Sequence, residues 1–82
     1  MKAETVNGWA NRATWLVSLN LQNEESMYRA MVAFMESYEG SDPYRDFIRE
    51  NGLDSAETAE GVSFSDPALN LEELNEMLRE LI

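Results

Sequence analysis

Asp54, Glu57, Glu60 and Asp66 fall in a stretch with little to bury, the kind of segment in which a hard cation finds oxygen ligands. The alternating Asp/Asn spacing and following Gly of a calcium loop are missing, so the stretch reads as a solvated acidic loop and no metal is expected. Catalysis has as little to work with. The chain contains no His and no Cys, which removes the usual general base and the usual zinc ligands. Ser and Thr nucleophiles therefore lack an activating base, and paired catalytic carboxylates need a cleft that 82 residues hardly provide. Gly8, Gly40, Gly52 and Gly61 stand apart as punctuation and form no phosphate-cradling loop. The residue types thus predict a protein that is not an enzyme and uses no cofactor.

What these residues can do is present charge. Asp and Glu number 16 against 6 Lys and Arg, a formal charge of −10, and residues 42–82 carry 11 of the acids but only 3 of the bases. The candidate partner contacts are Asp46, Glu50, Asp54, Glu57, Glu60, Asp66, Glu72, Glu73, Glu76 and Glu80. Glu72, Glu76 and Glu80 stand at i, i+4 and i+8, so a helix lines them along one face with neighbouring Cβ atoms about 5–6 Å apart, where like charges cost stability. A rigid row of carboxylates can imitate a row of phosphates for a protein that grips nucleic acid with Lys and Arg. With one Lys and five scattered Arg the chain itself is not expected to bind nucleic acid, and its partner should be basic. Trp9 is the candidate apolar anchor. Met27, Met31, Met35 and Met77 can form an adaptable groove, but their helical spacing reads first as core.

The elements that must position these groups are mostly helical. Asn7-Gly8 signals a turn after residues 2–6, which read as a strand or a loose end. From Asn11 to Gln22 the pattern is ambiguous: Trp15, Val17, Leu19 and Leu21 alternate as in a strand, whereas Trp15, Leu16 and Leu19 fit a helix face, and Asn11 as N-cap favours the helix. Asn23 should cap a second helix from Glu24 to about Tyr38, with a stripe of Met27, Met31, Phe34, Met35 and Tyr38. Gly40 ends it, and Pro43 opens a short helix that turns Tyr44, Phe47 and Ile48 inward before Asn51-Gly52. Residues 53–61 read as an acidic loop or a marginal helical turn, and residues 62–64 as a short strand or anchoring loop. Asn70 and Glu73 make a capping box for a last helix whose Leu71, Leu74, Met77, Leu78 and Leu81 repeat at helical spacing. The expected core is Trp15, Leu19, Met31, Met35, Phe47, Leu74, Leu78 and Leu81.

The fold class is therefore mostly α, a single domain over residues 1–82 with three to four helices and residues 1–8 as an edge segment. A short two-stranded β element is the α+β alternative. No apolar run approaches the ~20 residues that span a bilayer, and no signal segment is recognisable, so a cytoplasmic protein is expected.

The run Asn11, Thr14, Trp15, Val17, Leu19, Leu21, Asn23, Glu24 resembles a box found in small phage and bacterial proteins, of the form Asn-x-x-Thr-Trp-x-Val-x-Leu-Trp-Leu-x-Asn-Asp/Glu. Asn20 stands where that box has its second Trp, so no role of that Trp is carried over. Residues 61–64 and the final helix are similar to the tail of the same proteins. The resemblance implies a phage or mobile-element origin without an activity. In size, acidity and lack of catalytic residues the chain is also similar to anti-CRISPR and anti-restriction proteins that imitate DNA. That likeness implies an inhibitor, monomeric or weakly dimeric, that binds a CRISPR–Cas effector complex or another basic nucleic-acid-binding protein in a bacterial host. The alternative is an interaction adaptor that works without mimicry, through an apolar anchor such as Trp9.

Overall fold

The structure, a computed structural model, describes residues 6–82. It contains four helices: α1 (Arg12–Asn23), α2 (Glu25–Glu36), α3 (Pro43–Glu50) and α4 (Leu71–Arg79). Among the described residues there is no strand, only two isolated bridges, Val6 with Trp9 and Glu57 with Ser63. The mostly helical alternative thus holds over the α+β one. The expectation for residues 1–5 lies outside the described residues. Residues 6–9 close a tight turn in which Asn7 and Gly8 both take positive φ, 50° and 88°, and the Val6 and Trp9 backbones exchange two hydrogen bonds. Asn and Gly suit that geometry because they tolerate the left-handed region.

α1 settles the strand-or-helix ambiguity through its cap. Asn11 Oδ1 accepts from Thr14 N at 2.8 Å, which fixes the first turn and hence the rotational phase of the helix. In that phase Thr14, Val17, Ser18 and Leu21 make the buried stripe, joined by Leu16. This corrects the expected core: Trp15 and Leu19 lie one position off the stripe and are half-buried. Two hydroxyls take inward places because their bonds are met, Ser18 Oγ donating to Trp15 O at 2.8 Å. Leu81 is half-buried too and packs on the core from its margin, whereas Met31, Met35, Phe47, Leu74 and Leu78 are buried as expected. Leu16, Val17, Leu21, Tyr44, Ile48, Phe64, Leu69 and Met77 complete the interior.

Asn23 proves to be the last residue of α1 rather than the cap of α2. Glu24 takes the cap position and makes no side-chain cap bond. α2 also stops at Glu36, so Tyr38 sits beyond it and stacks on Phe34 with centroids 4.9 Å apart. Phe34 in turn meets the edge of Phe47 at 5.4 Å, which fastens α2 to α3.

The polar residues of α4 tie the domain together. The sequence leads one to expect Glu73 to fold back onto Asn70 N and complete a capping box. Only half of that box is made: Asn70 Oδ1 accepts from Glu73 N at 3.1 Å, but Asn70 N donates across the fold to Thr14 Oγ1 at 2.9 Å. Glu73 Oε1 accepts instead from Ala10 N at 2.8 Å, and Asn11 Nδ2 donates to Ala68 O at 2.7 Å. Each of the two helix starts is completed by a group from the other. α3 is served in the same way, since Asp42 makes no side-chain cap bond and Asn75 Oδ1 of α4 accepts from Tyr44 N at 2.8 Å.

Candidate functional site

The ten acidic candidates do not form one surface; the fold divides them among four settings. Asp46 and Glu50 flank a recess beside Phe34, Ser37 and Tyr38. There Asp46 is committed within the chain, paired with Arg49 at 2.5 Å and accepting from the Tyr38 hydroxyl, a bond that raises the Tyr38 pKa above its usual range. Asp54 and Asp66 border a second recess, of about 560 Å³, in which Arg45 and Arg49 bring opposite charge between α3 and residues 64–71. Asp66 is also spent on its own turn, accepting from Ala68 N at 2.7 Å. Glu57 and Glu60 stand exposed on the loop before α4, where Glu60 accepts from Asn20 Nδ2 at 3.0 Å. That hydrogen bond, with help from the backbone N–H of Glu60, holds the Glu60 carboxyl below the usual range. Among the described residues no group of three or more carboxylates is gathered closely enough to hold a metal ion.

The fourth setting unites signals that stand far apart in the sequence. Trp9, placed by the Asn7-Gly8 turn, lines an open groove of about 470 Å³ together with Glu73, Glu76, Met77, Glu80 and Leu81. Gly8 and Gln22 complete its lining. Met77 is 7% exposed and gives the groove a buried apolar base, and Gln22 Nε2 points its amide at Met77 Sδ from 3.1 Å. Trp9 and Leu81 are half-buried, packed on the core along one side and open to the groove on the other. Glu72 and Glu76 on α4 and Glu80 at its C-cap are exposed, and the ion pairs formed among the described residues, all on α2 and α3 or the turn before α3, leave these three unpaired. Glu73 differs from the three, because its backbone-bound oxygen serves the start of α1.

A model for a family of unknown function, DUF7249, matches residues 2–82. The chain belongs to DUF7249. No curated protein and no solved structure matches it. The matched stretch of this DUF7249 protein takes in the Asn11 box, the cap exchange, the α4 row and the groove alike.

The sequence offers Trp9 and the row as separate candidates and does not show that they meet; it offers Met77 for a groove only behind its reading as core, and it gives no sign of Gln22 and Leu81 as groove residues. Met77 and Leu81 carry the helical repeat that marks a core stripe, and periodicity does not distinguish the middle of such a stripe from its open end. The signal that could have found the groove is the turn: positive φ at Asn7-Gly8 reverses the chain and forces Trp9 back against the body of the domain.

Proposed function

We propose that this DUF7249 protein is a non-enzymatic inhibitor of phage or mobile-element origin. In this reading it binds a basic, nucleic-acid-binding surface of a bacterial host-defence effector, foremost a CRISPR–Cas complex, and keeps target DNA out. The observation that carries the reading is the α4 row, three exposed carboxylates with no ion pair among the described residues. Four residues of helix rise about 6 Å, while successive phosphates of one DNA strand advance about 3.4 Å along the axis. Because phosphates also wind around that axis, successive ones lie farther apart in space than this advance, and the row is like them a regular array of negative charge. The acid loop adds Glu57, whereas Glu60, Asp46 and Asp66, bound within the chain, contribute less. The site of action would be the cytoplasm of the bacterial host. No described helix is long and apolar enough to cross a membrane.

Reversing Glu72, Glu76 and Glu80 together to Lys should abolish inhibition and leave the fold intact, because all three side chains are exposed. The measurement is competition between labelled target DNA and the protein for the effector at rising salt. Exposed charges are screened beyond ~8 Å at physiological ionic strength, so binding should weaken steeply as salt rises. Simultaneous occupancy by DNA and protein, or full-strength binding by the triple variant, would end the mimicry reading. The groove supports a second reading, an adaptor that docks through Trp9. Under it the triple variant still binds and Trp9→Ala does not.

A further inference from the structure

Mimicry of phosphates uses carboxylates alone, yet the α4 carboxylates border apolar surface. Trp9, Met77 and Leu81 offer a partner an aromatic wall and an aliphatic base, with Glu76 and Glu80 beside them. A basic surface that meets only the row would leave this apolar lining wet, and burying one bulky apolar side chain contributes about 1.5–3 kcal/mol. The complement of such a groove is a helix that presents an apolar residue with Lys or Arg one turn away. We propose that the groove receives a basic amphipathic helix of the partner protein, inserted by a single bulky apolar side chain between Trp9 and Leu81. The inference rests on the reading of α4 as the partner-binding face and adds what occupies the groove. Charge selects this occupant over a second copy of the chain, since two copies at −10 each would bring Glu76 and Glu80 against their own kind.

The test uses Trp9 emission in the Trp15→Phe protein, because Trp15 does not line the groove. The probes are a Lys- and Ala-rich helical peptide with one Phe, and the same peptide with Ala in place of that Phe. The Phe peptide should give a saturable change in Trp9 emission, and the Ala peptide should bind about tenfold more weakly or worse. Leu81→Ala should weaken the Phe peptide and leave the Ala peptide unchanged, with circular dichroism confirming the fold. Should that variant fail to fold, Glu80→Lys serves in its place and must weaken both peptides. Equal binding of the two peptides would overturn the groove while competition with DNA still stood. Absence of binding by both would also overturn it, and the DNA competition would then judge mimicry by itself. A dimer in sedimentation that Trp9→Ala dissociates would assign the groove to a second copy and overturn the proposal.

Discussion

At the scale of single residues, Thr14 carries the most. Its side chain is fully buried, donates to Asn11 Oδ1 at 2.7 Å and accepts from Asn70 N at 2.9 Å, so one hydroxyl serves the starts of α1 and α4 at once. Thr14→Val keeps the shape and deletes both bonds, which leaves the Asn70 N–H without its acceptor. Urea unfolding should show a loss of about 1–3 kcal/mol, and Thr14→Ser should recover most of it. Asn11 was legible as a cap because a cap and its target lie three residues apart. The Asn70 contact was not, because 56 residues separate donor from acceptor and no local pattern encodes them. Tyr44 illustrates pH. Burial pushes its phenol well above the ordinary range, so the unfolded chain gives up this proton first as pH rises. Its contribution is complete below about pH 10 and fades at higher pH. Tyr44→Phe, which loses the 2.7 Å bond to Phe64 O, should cost about 1 kcal/mol at neutral pH and flatten the alkaline limb of a melting-temperature profile.

Among the elements, α4 combines a buried stripe with a self-repelling outer face. Like charges at i, i+4 cost about 0.2–0.5 kcal/mol per pair, and Glu76 takes part in two such pairs, with Glu72 and Glu80. Glu76→Gln should therefore raise the melting temperature at low salt, with the gain vanishing in high salt, where the repulsion is already screened. No gain at low salt would mean that the row is not held as a row. α3 and α4 were legible because Pro43, Asn70 and the spacing of Tyr44, Phe47, Leu74 and Leu78 all point one way. α1 was legible as a helix and not as a face. Trp15 and Leu19 are larger or more apolar than Thr14 and Ser18, and apolar size governs a sequence pattern, whereas the cap at Asn11 and the bonds of the two hydroxyls govern the phase.

For the molecule as a whole, one core is shared by all four helices, and a domain of this size holds only about 4–12 kcal/mol in reserve. Leu78 is fully buried in that core, so Leu78→Ala should cost about 2–5 kcal/mol and leave a large unfolded population in calorimetry at moderate temperature. The division of the acids was invisible in the sequence for a reason that belongs to this scale. A charge count along residues 42–82 contains no information about which arginine folds next to which carboxylate, and among the described residues Arg45 and Arg49 prove to mute one part of that half while the α4 row takes part in no ion pair. The cap exchange also fixes an order in time. On the ribosome α1 is made well before α4, and its start waits for Glu73, 63 positions after Ala10, to complete it. Every newly made copy therefore passes a period with α1 unfinished and its future core open to chaperones and proteases, and α1 can lock only after α4 has followed it out.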